Sequence, residues 1–210
     1  MSIKSHKIPK RRFTMPKFTK QEKEHIHHSL MEKGREIFIQ YGLAKTTIDD
    51  IVQACGIAKG SFYKFFQSKE ELYFEILKNE EEVRETVLNE LFRENLPPKE
   101  LLASFFHTSF KFVEDNPFLQ RVFQSDEHER LTRKLPEQMA EFSQVHTQRG
   151  INAVKILMER GVLPKENPEL TVGVIQAIMM IRLHKDEIGT ELFPKVMDKI
   201  VDYIATGLVK

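Results

Sequence analysis

Apolar and polar positions alternate with helical spacing over most of the chain, beginning near residue 20. In the first such stretch the apolar or small residues fall three or four positions apart, at Ile26, Leu30, Gly34, Ile37, Phe38 and Tyr41. This spacing places them on one face of an α-helix. Thr19 and Glu22 form a capping-box sequence before the stretch, and Gly42 follows it as a helix stop. The pattern predicts a first helix between these two signals.

A tight glycine turn separates the next two predicted helices, both of which are short. Thr47 can cap the first of them, whose apolar stripe consists of Ile48, Ile51, Val52 and Cys55. Three residues, Gly56, Ile57 and Ala58, precede another short helix that begins near Lys59. Two short helices joined by such a turn are typical of a helix-turn-helix unit.

The remainder of the chain is predicted to be helical as well. A second capping-box sequence, at residues 68–71, opens a long helix that reaches about Arg93. Prolines, Asn-Pro pairs and glycines then divide the sequence into five further helices. These are expected over residues 98–115, 117–126, 136–160, 168–184 and 191–208. Because no segment shows a strand pattern, we expect an all-α fold.

Charge is distributed unevenly along the chain. Residues 1–69 carry 14 Lys and Arg against 6 Asp and Glu, whereas residues 70–210 carry 18 against 25. The first part therefore has a net charge of +8 and the rest −7, which favours a polyanion-binding end joined to a body with another role. The single cysteine excludes an internal disulfide, and no signal peptide or membrane span is evident. We expect a cytoplasmic protein without membrane insertion.

The second short helix has an outward face suited to contact with DNA. Phe62, Phe65 and Phe66 share its inward face, so that the small and basic residues face outward or lie on the flanks. Gly60 costs about 1 kcal/mol relative to alanine in a helix, which suggests that another surface approaches closely there. The N-terminal residues of a recognition helix lie nearest the base edges. The alternative is a small helix hairpin with a solvated charged face.

The stretch TTIDDIVQACGIAKGSFYKFFQSKEELYFEIL, residues 46–77, resembles the tetracycline-repressor (TetR) family of bacterial transcription regulators. The resemblance covers roughly residues 20–80. It implies an N-terminal three-helix DNA-binding domain with a helix-turn-helix, joined by a long helix to a helical ligand-binding and dimerisation domain. We accordingly expect a basic flexible arm at 1–18, a DNA-binding domain at 19–68 and the helical body at 69–210.

The resemblance also implies which residues meet DNA. It places five recognition residues in the major groove, namely Lys59, Gly60, Ser61, Tyr63 and Lys64. It places three further residues near phosphate, namely Thr46, Thr47 and Lys69. One hypothesis for the arm is that its basic residues lie along phosphates or in a minor groove of the DNA. These residues are Lys10, Arg11 and Arg12. A solvated, solubilising tail is the alternative.

The family's body holds an inducer pocket and a dimer interface. The aromatic content around residues 101–123 suits a small hydrophobic or aromatic inducer. The candidate pocket residues are Phe105, Phe106, His107, Phe110, Phe123, Met139, Phe142 and Met158. The last two long helices supply the candidate dimer residues Val174, Ile178, Ile181, Val196, Ile200, Tyr203 and Ile204. In each set, ordinary core packing is the alternative.

No catalytic or cofactor motif stands out. His25 and His28 share a helix face without a third ligand, and residues 126–129 are interpreted as a solvated charged turn, so no metal is expected. The sequence thus predicts a DNA-binding regulator, not an enzyme. We expect a repressor that binds a near-palindromic operator as a homodimer and is released by a small molecule; activation would use the same DNA-binding residues. The rival is a helical metabolite-binding or interaction protein without operator binding.

Overall fold

The computed structural model describes residues 18–124, 126–181 and 184–208, and this part of the chain is helical without strands. The predicted all-α class is confirmed. The basic arm, including Lys10, Arg11 and Arg12, lies outside the described residues apart from Phe18. The helices are α1 Lys20–Lys45, α2 Ile48–Cys55, α3 Lys59–Phe62, α4 Lys69–Leu91, α5 Pro98–Glu114, α6 Pro117–Gln124, α7 Glu127–Lys134, α8 Pro136–Glu159, α9 Pro168–Ile181, α10 Lys185–Ile188 and α11 Phe193–Leu208.

Helix α1 begins and bends where its sequence predicts. The side chain of Thr19 accepts a hydrogen bond from the Glu22 amide, and the Glu22 carboxylate accepts one from the Thr19 amide, which completes the capping box. At Gly42 the backbone leaves the helical conformation, with φ 77° and ψ 162°. Residues with a Cβ atom strongly disfavour this region. The stop predicted at Gly42 is therefore a sharp kink that ends the regular helix.

The helix-turn-helix forms from local signals. Thr47 and Asp50 make a complete capping box at the start of α2, and Gly56 ends the helix in the left-handed conformation with φ 65°. Helix α3 has four residues and continues as turns in which the Phe62 carbonyl accepts from the Phe65 and Phe66 amides. Helix α4 then begins with Ser68 as its cap, but the Glu71 carboxylate accepts from Gln67 instead of closing the predicted second box.

Two hydrophobic cores organise the chain, and the first crosses the predicted domain boundary at residue 68. It combines residues of α1 to α4 with residues of α5 to α8, including the fully buried side chains of Phe38, Tyr73 and Phe118. The second core joins the C-terminal end of α4 to α5, α8, α9 and α11. The N-terminal helices therefore share a packed interior with the body.

The interpretation of residues 126–129 as a solvated turn is wrong for Glu127, whereas Asp126, His128 and Glu129 are exposed. Glu127 is the first residue of α7, and only 3% of its surface is exposed. Leu131 and Leu135, which follow at helical spacing, are buried in the first core. This apolar spacing draws α7 against the rest of the molecule and carries Glu127 inward with it. The short helix α10 was also not predicted.

Replacement of Gly42 by alanine is expected to destabilise the fold. A Cβ atom at this position would lie 2.7 Å from Glu127 Oε1 and 3.1 Å from an Arg121 nitrogen, and φ would remain positive. We expect Gly42→Ala to lower the free energy of unfolding by about 1–3 kcal/mol, measured by urea denaturation. Gly150→Ala, which places a Cβ in ordinary contact with Val172, is the control. Equal stability of the two variants would contradict the requirement for glycine at the kink.

Candidate DNA-binding surface

The face of α3 that is predicted to point outward is open in the structure. Phe62 and Phe66 are buried in the first core, whereas Tyr63 is 46% exposed. No atom lies within 4 Å of the position that a Cβ would occupy at Gly60, and its φ is not positive. Neither packing nor backbone conformation within the described chain therefore requires glycine here. The open space leaves room for close approach by another molecule.

Two lysines flank this open face and differ in their contacts. Lys59 forms a salt bridge of 2.8 Å with Asp49, and its hydrogen bond to this carboxylate raises the pKa of the lysine. Lys64 places its ammonium 4.3 Å from the centre of the Phe18 ring, a cation–π contact. Since Phe18 precedes α1, the end of the predicted basic arm lies beside Lys64. We refer to residues 59–64 as the reading segment.

The residues predicted to meet phosphate all form hydrogen bonds with other groups of the protein. The Thr46 side chain is buried and donates to the Gly42 carbonyl over 2.7 Å. The hydroxyl of Thr47 serves the α2 capping box with Asp50. Lys69 donates to the carbonyls of Leu43 and Thr46, at 2.7 and 2.6 Å, and burial lowers its pKa.

These contacts give Thr46 and Lys69 a role within the protein, and their predicted contacts with phosphate stay predictions. The buried Thr46 hydroxyl already donates its hydrogen, and the half-buried Lys69 ammonium is bound to carbonyls at the end of α1. Both side chains stabilise the corner between α1 and α2. Thr47 keeps an exposed position at the N-terminus of α2, where the partial positive charge of the helix end favours an anion.

A buried carboxylate on a helix of the body binds the C-terminal end of α1. Glu127 Oε1 accepts from the Leu43 amide over 3.0 Å, and Glu127 Oε2 accepts from the Tyr73 hydroxyl. Burial, together with the bond to Glu127, raises the pKa of Tyr73 far above its usual value, so this hydroxyl remains a donor. An Arg121 nitrogen lies 3.9 Å from Glu127 Oε1. We call Glu127, Tyr73 and Arg121 the latch.

Arg121 extends the latch to the turn before the kink. Its guanidinium donates to the Ile39 carbonyl over 3.0 Å and to the Gln40 carbonyl over 3.3 Å. Carbonyls in the last turn of a helix lack helical partners, so a cation there is stabilising. One end of α1 is thus bound by side chains from α4, α6 and α7. None of the three latch residues was predicted from the sequence, although the spacing of Leu131 and Leu135 could have placed Glu127 on a helix.

A second polar link connects the middle of α1 to the body. Arg35 donates to Glu80 at 2.5 Å and to the side-chain oxygen of Asn116 at 3.1 Å, and Asn116 donates to Glu80 at 2.6 Å. The same Asn116 oxygen accepts from the first amides of α6, including that of Phe118. A shift of α6 would therefore change the contacts of α1 at two separate points, one through Arg121 and one through Asn116.

The predicted pocket residues are divided between the two cores, and the ligand pocket stays a prediction. Phe106, Phe110 and Met158 are buried in the second core with Phe105 against it, while Met139 and Phe142 belong to the first. Phe123 is 41% exposed, and His107 lies on the surface near Asp198. Only Phe142 lines a cavity of about 320 Å³ found between α4 and α8.

The predicted dimer residues form a partly exposed apolar face. Val174 and Tyr203 are exposed, Ile178 is buried, and the others, Ile181, Val196, Ile200 and Ile204, are half-buried. Further exposed apolar side chains on or beside the same helices are Leu170, Met180 and Leu192. The dimer interface stays a prediction.

Comparison with known proteins identifies relatives of the N-terminal half. A family model described as "Bacterial regulatory proteins, tetR family" matches residues 30–76. The HTH-type transcriptional repressor KstR2 of Mycobacterium tuberculosis is 33% identical over 102 residues, which cover 49% of this chain and 50% of the relative. The probable acrEF/envCD operon repressor of Escherichia coli is 34% identical over 82 residues, covering 39% and 35%. The matched region thus spans half or less of these curated relatives.

A solved structure shows that the fold extends over nearly the whole chain. The crystal structure of a transcriptional regulator from Cytophaga hutchinsonii aligns with a TM-score of 0.68, at 19% identity, over 87% of this chain and 98% of the other. Within the described residues, no helix is long and apolar enough to cross a membrane. In the same residues, no three His, Cys, Asp or Glu side chains are grouped as a metal site requires.

Replacement of Gly60 by alanine is expected to separate stability from DNA binding. Because a Cβ would meet open space, the variant should gain about 0.5–1 kcal/mol of unfolding free energy from the better helix former. The same methyl group should weaken binding to a duplex that approaches the reading segment. Urea denaturation and fluorescence anisotropy with a labelled duplex measure the two effects. Unchanged DNA affinity would contradict the close approach.

Removal of one hydroxyl is expected to weaken the latch. Tyr73→Phe takes a donor from the buried Glu127 carboxylate, so we expect a loss of about 1–3 kcal/mol in unfolding free energy. Tyr41→Phe removes a hydroxyl from a tyrosine that is 51% exposed and serves as the matched control, with a change within about 0.5 kcal/mol. If the two substitutions cost the same, the latch does not stabilise the fold in the way described.

Proposed function

Because the chain belongs to the TetR family of transcriptional regulators through its N-terminal helix-turn-helix domain, we propose that it is a sequence-specific DNA-binding repressor. The observation that carries this proposal is the open face of the reading segment, where Gly60 faces empty space between an exposed tyrosine and an exposed lysine. A glycine with no internal requirement is explained by an external surface that must come close. Double-stranded DNA is that surface.

The charge and composition of this face support the choice of DNA. Residues 1–69 have a net charge of +8, which favours association with phosphate. Lysines position a protein on the backbone, whereas small and hydroxylated residues at the start of a recognition helix allow approach to base edges. In this proposal the contacts to DNA come from Lys59, Gly60, Ser61, Tyr63 and Lys64, and Thr47 lies near phosphate.

A homodimer on a near-palindromic operator is the economical arrangement. One helix-turn-helix reads one half-site, and a twofold axis supplies the second. The exposed apolar side chains of α9 and α11, among them Val174 and Tyr203, support a contact between two copies. Pairing of these faces would remove from water apolar surface that is otherwise left on the outside.

Release by a small molecule is the final part of the proposal. The latch and the Arg35–Glu80–Asn116 link join α1 to α4 and α6, so a ligand that moves either body helix would act on the reading segment. A coupling free energy of about 1–3 kcal/mol between two sites changes an affinity by roughly 5 to 150 fold. That range is sufficient for a genetic switch.

Selection of duplexes from a random DNA pool tests the proposal. Wild type is expected to enrich a near-palindrome at a stated salt concentration, and Tyr63→Ala/Lys64→Ala is expected to lose the enrichment. Lys155→Ala, an exposed lysine of α8, is the charge control and should behave as wild type. Circular dichroism and sedimentation establish that each variant is folded and report its oligomeric state.

The outcome separates two classes of protein. Enrichment by wild type and by the control, but not by the double variant, supports a regulator that reads DNA through the reading segment. If folded wild type enriches no duplex, a helical metabolite-binding or interaction protein without an operator becomes the better account. Enrichment that survives the double substitution would place recognition elsewhere in the chain.

A further inference from the structure

A groove between α4 and α8 remains unexplained by DNA binding. Its volume is about 320 Å³, and its walls combine aromatic rings with charged side chains from both helices. The Phe74 and Phe142 rings meet edge to face with centroids 5.6 Å apart, and the His146 ring packs on Phe142 at 4.1 Å. These three rings form an aromatic floor for the groove.

One cation already lies beside this floor, because the Lys78 ammonium is 5.9 Å from the centroid of the Phe74 ring. His146 lies near the carboxylates of Glu81 and Glu85, yet burial is the larger influence and lowers its pKa. The neutral ring is therefore favoured near pH 7. The neutral imidazole adds aromatic surface to the floor without adding a positive charge, and it keeps its polar ring nitrogens.

The cations of the groove are already paired, whereas two acids are not. Lys78 forms a salt bridge with Glu75 at 3.0 Å, and Arg149 forms one with Glu85 at 2.6 Å. Glu82 and Glu141 also line the groove, and neither carboxylate forms a salt bridge within the described part of the chain, although the charge of Glu82 contributes to the raised pKa of Arg149. The charge left for a ligand is therefore negative.

We propose that this groove binds a small organic cation, with its ammonium group facing Glu82 and Glu141 and its apolar body on the aromatic floor. The two carboxylates attract the ammonium by direct charge contact, and the rings remove the apolar body of the ligand from water. A pocket with an apolar lining and a few convergent polar groups is the usual form of a small-molecule site. An anion of the same size would meet two carboxylates.

The position of the groove gives its occupant a route to the reading segment. Phe74 follows Tyr73 of the latch in α4, and the same helix begins at Lys69, which binds the carbonyls at the end of α1. A ligand that shifts α4 against α8 therefore acts on the helix that holds α1. This effector role rests on the proposed DNA-binding function, whereas binding of the cation does not.

Calorimetry on the full chain without DNA tests the site. The probe is benzyltrimethylammonium, compared with benzyl alcohol as the neutral probe and phenylacetate as the anion. We expect wild type to bind the cation and to show much weaker binding of the other two. Glu82→Gln and Glu141→Gln should each lower the affinity for the cation by up to about fivefold. The effect is modest because both carboxylates are exposed and solvent screens their charge. Glu90→Gln, an exposed acid of α4 outside the groove, should have no effect.

Several results would overturn the proposal. They are absence of cation binding, equal binding of phenylacetate, and affinities unchanged in both groove variants. The effector role is then measured with an enriched duplex: saturating cation should lower wild-type DNA affinity by at least fivefold and leave the Glu82→Gln/Glu141→Gln variant unaffected. Cation binding without this change would overturn the effector role. Failure to enrich any duplex would count against the DNA-binding function, while the calorimetry would still decide the site.

Discussion

The hydrogen bond between the Glu127 carboxylate and the Leu43 amide is the constraint on which the arrangement of the N-terminal helices depends. Gly42 turns the backbone out of the helix, and Glu127 supplies the partner for the amide that follows. A buried carboxylate is costly unless hydrogen bonds replace its water. The Tyr73 hydroxyl and the Leu43 amide both donate to it, and Arg121 brings a positive charge near it. The kink and the body therefore stabilise each other.

The geometry of the reading segment follows from this fixed corner. Thr47 caps α2 four residues after Leu43. Lys69, at the start of α4, donates hydrogen bonds to the carbonyls of Leu43 and Thr46 in the same corner. These contacts hold the helix-turn-helix against α1 at both of its ends. Its open face is therefore presented in one orientation, which is the property that recognition of a fixed groove requires. The latch residues reside on α4, α6 and α7, so movement of these helices is the natural means of changing that orientation.

Local signals in the sequence predicted most of the helices because capping boxes and positive-φ glycines act within a few residues. Thr19, Thr47 and Gly56 each perform the role that their neighbours indicate. Long-range burial was not predictable in the same way. Nothing near Glu127 shows that Tyr73 lies beside it, and nothing near Lys69 shows that carbonyls of α1 surround its ammonium. Helical spacing likewise placed Phe106 and Phe142 on inward faces without revealing that they belong to different cores.

Amide hydrogen exchange on the chain with and without a duplex that carries its site tests the central claim most directly. We predict that DNA slows exchange in the amides of residues 47–50 at the start of α2 and of residues 59–66, and leaves the core of α8 unchanged. Such a pattern would establish that the reading segment is the surface that meets DNA. Protection confined to the body helices, with residues 59–66 exchanging as in the free protein, would contradict it.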